Sequence, residues 1–209
     1  MAGVSMFEIK SGVLFTGENP GITLYRPDSD AVVAKVSYWR CVYSEFGAGN
    51  VMLIWVDPDE PVLDGMPHRM LLTDNLPLAY FAWDTFTRYF PEFEGYDLSD
   101  VKPRNARFSA ESDARWFMRV TANTGDAMFE AAWWDILGYT LRTRNAWILG
   151  GRLMDLTTVI GPCASGAFRI NSRPVAGEVR ADRLKSPPSS SAFLALSETW
   201  TERAGSMRE

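Results

Sequence analysis

Apolar and polar residues alternate with a period of two along much of this chain, and one stretch departs clearly from that rhythm. Alternation places successive side chains on opposite faces of a strand. Strands are read at 13–15, 22–25, 32–43 and 51–56. The first two flank Gly17-Glu18-Asn19-Pro20-Gly21, a turn-rich spacer that predicts a hairpin. The short connections predict an antiparallel meander. Residues 57–68 form a loop, because Pro58, Pro61 and Pro67 cannot serve an interior ladder. A short strand follows at 70–73.

The departure is a helix over 76–90. Asp74 or Asn75 can cap it, and Pro77 is tolerated in its first turn. Leu78, Phe81, Ala82, Phe86 and Tyr89 fall near helical spacing, and Pro91 stops it. After a polar connection over 95–105, strand patterns return at 107–108, 116–122, 127–135, 153–160, 166–170, 177–180 and 192–200. Asn123-Thr124-Gly125-Asp126 reads as a hairpin turn, and 139–148 is ambiguous. Residues 185–191 form a surface loop, and 201–209 read as a frayed tail. The fold class expected is mainly β: an antiparallel β-barrel or strongly curved sheet with one prominent α-helix, as a single domain over 1–209.

That succession of short strands with one helix resembles a lipocalin-like (calycin) barrel across most of the chain. The resemblance is architectural. Lipocalins carry a Gly-x-Trp near the first strand; here Val13 to Phe15 has no Trp, and the nearest is Trp39. No residue role is therefore carried over. The resemblance implies a central cavity for a small, largely apolar molecule.

Composition sharpens this picture. Apolar residues make up 46% and charged residues 22%, ordinary for a globular chain. Cys41 and Cys163 are far apart and read as reduced, partly buried thiols. The net charge is -5 and the basic residues are scattered, which argues against nucleic acid as a partner. No apolar run approaches a membrane span, and Met1 to Ser11, with Glu8 and Lys10, does not read as a signal peptide. A cytoplasmic location follows by elimination. Eight Trp, seven Tyr and twelve Phe are an unusual load, and a ligand cavity is the preferred explanation.

Candidate chemistry is sparse. Phosphate-cradling loops, a GxGxxG fingerprint and a Gly-x-Ser-x-Gly elbow are absent from the sequence. A single histidine cannot build a multi-histidine metal site, so neither metal nor cofactor is expected. His68 is the candidate general acid or base, since its ordinary pKa lies near neutrality. The alternative is a solvent-exposed loop residue. Glu130 is the second catalytic candidate, with Arg119 orienting a ligand; the two can equally form a surface ion pair across a hairpin. Tyr38 and Trp134 are candidate lining residues, and Asn75 stands where helix N–H groups can hold a ligand oxygen. Glu198 and Asp155 are acids on otherwise apolar strands, where burial would raise the pKa.

Three functions compete. The first is a cofactor-independent enzyme doing acid–base chemistry of lyase, isomerase, hydratase or cyclase type on a small apolar or aromatic molecule. The second is a non-catalytic carrier of such a molecule. The third is a protein-interaction module, which a large exposed apolar patch without an enclosed pocket would favour. Self-association into a homo-oligomer is left open.

Overall fold

The computed structural model describes residues 12–90 and 93–203. The Pro91 stop, the 1–11 segment and residues 204–209 lie outside the described residues, while Thr201 and Glu202, expected in a frayed tail, are held in the last strand by pairing on both sides. The strands are β1 (Gly12–Glu18), β2 (Gly21–Tyr25), β3 (Val32–Ser44), β4 (Gly49–Val56) and β5 (Arg69–Thr73). Helix α1 (Leu76–Thr85) follows. Next come β6 (Arg104–Asn105), β7 (Arg107–Asp113), β8 (Phe117–Asn123), β9 (Met128–Ile136) and β10 (Thr140–Leu149). The last are β11 (Arg152–Ile170), β12 (Arg173–Pro174), β13 (Ala181–Asp182), β14 (Ser189–Ser190) and β15 (Ala192–Glu202). The protein is mainly β with one α-helix, as the pattern predicts. Among the described residues no helix is long and apolar enough to cross a membrane.

One curved sheet contains all of these strands except the small β13–β14 pair, in the order β6-β5-β4-β3-β1-β15-β11-β9-β8-β7. The two ends of that order are consecutive in sequence. Arg104 and Asn105 pair in parallel with β5, Ala106 N–H donates to the Thr73 carbonyl, and Arg107 onward pairs with β8. The segment 104–113 therefore bridges both ends and returns the sheet on itself. Among the described residues the β5–β6 pair is the one parallel departure from an otherwise antiparallel ladder.

The hairpin expected at 13–25 does not form. β1 and β2 do not pair with each other; both lie between β3 and β15 and behave as one long strand. Asn19 N–H donates to the Ala195 carbonyl, and Tyr38 N–H donates to the Pro20 carbonyl, so the ladder runs through the spacer. Its glycines serve close approach. A Cβ on Gly17 would sit 1.9 Å from the Arg40 carbonyl oxygen, and one on Gly21 would meet the Phe193 ring at 2.8 Å. The ambiguous 139–148 stretch is strand β10, while 177–180 holds only an isolated bridge from Glu178 to Tyr25.

Alternation sorts side chains into two cores. Inside the closed sheet lie Tyr38, Met52, Ile54, Phe129, Trp133 and Phe168, each essentially without solvent contact. The interior is packed with side chains rather than hollow. The second core lies outside, where α1 and the turn after it cover Phe15, Trp39, Leu53 and Trp200. Asn75 caps α1 by accepting from Leu78 N–H at 3.2 Å, and Pro77 occupies the first turn. The α-helix ends at Thr85, before the expected 90, because Thr87 Oγ1 donates to the Ala82 carbonyl and a 3-10 turn takes over at Thr87–Tyr89. Phe86 then swings into the aromatic cluster, stacking on Trp39 with centroids 5.3 Å apart.

Candidate functional site

The six residues singled out from sequence are dispersed over the molecule. His68, half-buried, ends the 57–68 loop at the foot of β5, and Asn75 follows its top. Six residues of near-extended chain separate them, roughly 20 Å. Tyr38 points into the packed interior, with its hydroxyl donating to Asn50 Oδ1 at 2.5 Å. Burial pushes its pKa up, so the phenol stays protonated. Arg119 and Glu130 do not pair across the β8–β9 hairpin. The register sets Arg119 opposite Ala132 and Glu130 opposite Thr121, so Arg119 binds Glu111 on β7 at 2.5 Å instead. Glu130 faces Arg169 on β11 at 3.8 Å. Trp134 lies on the outer face, partly exposed. Tyr38 and Asn75 come near each other through Asn50 and Asp74, and Arg119, Glu130 and Trp134 share the outer face of the β8–β9 hairpin, where Arg119 and Trp134 line one open groove.

The hollows of appreciable volume are open grooves on the outer surface. One of them, about 690 Å³, is of mixed character, with Ala106, Phe108 and Met128 beside Asn105, Arg107 and Asn123. His68 lines another of about 330 Å³ with Arg69, Asp100, Lys102 and Arg104. Two of those cations are already engaged, Arg69 with Asp100 and Arg104 with Asp126. Among the described residues no group of three or more His, Cys, Asp or Glu side chains could hold a metal ion.

Sequence reasoning missed the inner face of the sheet above the closed part. β10, β11, β15, β1 and β3 rise past the point where β7 and β5 end, as a wall. Its outer face is the one covered by α1. Its inner face continues the barrel interior but has nothing over it among the described residues. One cross-strand row runs Thr143, Thr157, Thr199, Thr16, Tyr43, each opposite the next in register. Neighbouring strands stand about 4.8 Å apart, so this is an evenly spaced line of hydroxyl and methyl groups. Below it Leu141 lies opposite Val159, and Val159 opposite Leu196. Above it stand Val13, opposite Thr201, and Ile148, opposite Leu153. Leu141 is 66% exposed and Ile148 71%.

Four register shifts build this face, one in each of the β1–β15, β1–β3, β10–β11 and β11–β15 ladders. Ser197, in the left-handed region at φ 50°, absorbs an extra residue of β15 against β11, so that Leu196 and Thr199 both turn inward. On β3, residue 42 is extra between the Thr16–Tyr43 and Gly17–Cys41 pairs, which turns Tyr43 inward although Cys41 faces the helix side.

Where the wall meets the interior lies a polar seam. Asn50 donates to both Asp74 oxygens at 2.6 Å, from its backbone and side-chain nitrogens. Arg40 and Glu18 stand 3.5 Å apart, and Glu18 Oε2 is shut from solvent without a hydrogen bond. Asp155, expected to be an acid with a raised pKa, lies on the wall's inner face paired with Arg203 at 2.7 Å. The Arg203 guanidinium and the Ala146 N–H hold its carboxyl below the usual range. Glu198 is buried and accepts from Trp200 Nε1 at 2.6 Å.

No family model, curated protein or solved structure matches this chain.

Proposed function

We propose that this chain is a protein-interaction module whose partner docks on the inner face of the upper wall. One observation carries the reading: the closed part of the sheet is filled by its own side chains, while the same face higher up presents Leu141, Ile148, Tyr43 and a threonine row to solvent. Exposed apolar surface of this extent, next to polar residues, marks interaction sites in soluble proteins.

The test is titration with an apolar fluorescent probe, anilinonaphthalene sulfonate. The native chain binds it, and Leu141→Glu weakens binding by about tenfold, equivalent to about 1.4 kcal/mol. Equal binding by both would remove the wall from the account.

A second reading keeps acid–base chemistry on a small molecule, because His68 does line an open groove beside Lys102. Glu130 is not in that groove, so His68 would act without it. Once a substrate is in hand, His68→Ala lowers kcat by about 10²–10⁴-fold if His68 transfers a proton. Unchanged turnover ends that reading.

A further inference from the structure

β10 is the outer strand of the wall. It pairs with β11 from Thr140 to Leu149, and no strand is paired to its other side among the described residues. β9 precedes it along the same side of β11, but the cover that β9 receives from β8 stops at the Phe117–Trp134 pair. A line of backbone N–H and C=O groups is thus left without a ladder, a template for an added strand.

The side chains along this edge say what kind of strand fits. Leu141, Thr143 and Ile148 face the bare inner side. Arg142 and Arg144 face the other side, both exposed, and neither has a carboxylate within 4.0 Å among the described residues. Arg144 lies over the Trp147 ring at 3.7 Å, which fixes its position without neutralising it. Arginines on an edge usually serve to keep strands apart. The comparison with β7, whose upper edge is also open, separates the two uses. There Glu111 is matched by Arg119 and Asp113 by Arg115, so the charges of that edge are satisfied at home. On β10 they are not, in a chain whose net charge is -5. A second copy pairing antiparallel along this edge would bring four arginines to one seam. An acidic strand would neutralise two.

We propose that the free edge of β10 is a strand-addition site for an extended acidic segment of a partner protein. Alternate carboxylates of that segment meet Arg142 and Arg144, and its intervening side chains extend the apolar row of Leu141, Val159 and Leu196. This rests on the reading of the wall as an interaction face and names the partner's chemistry.

The probe is an end-capped octapeptide alternating valine and glutamate, with its valine–lysine counterpart as control. The chain binds the glutamate peptide, and amide shifts concentrate on 140–149. Arg142→Glu combined with Arg144→Glu weakens that binding at least tenfold and brings in the lysine peptide. Both arginines are exposed, so the double reversal leaves the fold in place. Equal binding of both peptides, or shifts centred on the Arg107 groove, overturns the proposal. So does a dimer of the chain alone, seen by sedimentation, that protects the β10 amides. The fluorescent probe is titrated into the same sample. Probe binding without peptide binding removes the edge site and leaves the wall reading standing; failure of both removes both.

Discussion

On one face of the upper wall, Phe15, Trp39, Met154 and Trp200 lie under α1 and its following turn, with rings stacked at 5–6 Å. On the other face of the same strands, Leu141, Ile148 and Tyr43 meet water. The strands, the register and much of the residue vocabulary are shared. What differs is whether a covering element exists. Apolar residues on the covered face stabilise the fold by leaving water on folding. Those on the bare face contribute little to folding and have their apolar area still to bury. A large aromatic content therefore answers two demands, and the cavity invoked from composition alone is not needed to explain it.

The largest predicted effect breaks the covered face. Phe86→Ala removes a fully buried ring from the Trp39–Trp200 stack and costs about 3–5 kcal/mol in denaturant unfolding. A loss below about 1 kcal/mol would mean that the helix does not seal this face. Next is Gly17→Ala. Its new methyl meets the Arg40 carbonyl, and parting β1 from β3 costs about 1–3 kcal/mol. If unfolding shows no loss, the spacer is not the straight strand described. Asn75→Ala removes the helix cap and two bonds to the Phe46 and Ala48 carbonyls, for about 1–2 kcal/mol by the same measurement.

Smaller effects belong to the bare face. Asp155 is held below the usual carboxylate range in the folded state, so its contribution is present above the unfolded value and is lost as pH falls through the folded one. Arg203→Gln weakens that hold and moves the acid limb of stability to slightly higher pH. An acid titration unchanged by this substitution would disconnect the pair from stability. Smallest of all, Leu141→Ser and Ile148→Ser each change stability by no more than about 0.5 kcal/mol. A core-sized loss from either would show that the inner face is covered after all, and would dissolve the contrast between the two sides.

Much of the fold was legible because burial imposes period two on strands and a capped apolar stripe on a helix. The face assignments at Tyr38 and Trp39, and at Met118 to Val120, follow directly from alternation. The hairpin at 13–25 failed because Gly17 and Gly21 carry the same letters whether they turn a chain or let two backbones approach. The Arg119–Glu130 pairing failed because alternation gives a face and not a register. The wall was hidden for a related reason. Its threonine row draws one residue from each of β10, β11, β15 and β1, of which only β10 and β11 are neighbours in sequence, and bulges that no local pattern announces realign them. His68 drew notice as the sole histidine, which is a property of composition and carries no position.

Apolar ligands bind on the wall and not inside the closed sheet if the contrast between the two faces holds. Methyl NMR on the chain titrated with the fluorescent probe separates the two locations. Binding on the wall confines the shifts to Leu141, Ile148, Val159 and Leu196, with Val36, Ile54 and Val120 unmoved. Shifts centred on Val36, Ile54 and Val120 would place the ligand in the interior and contradict it.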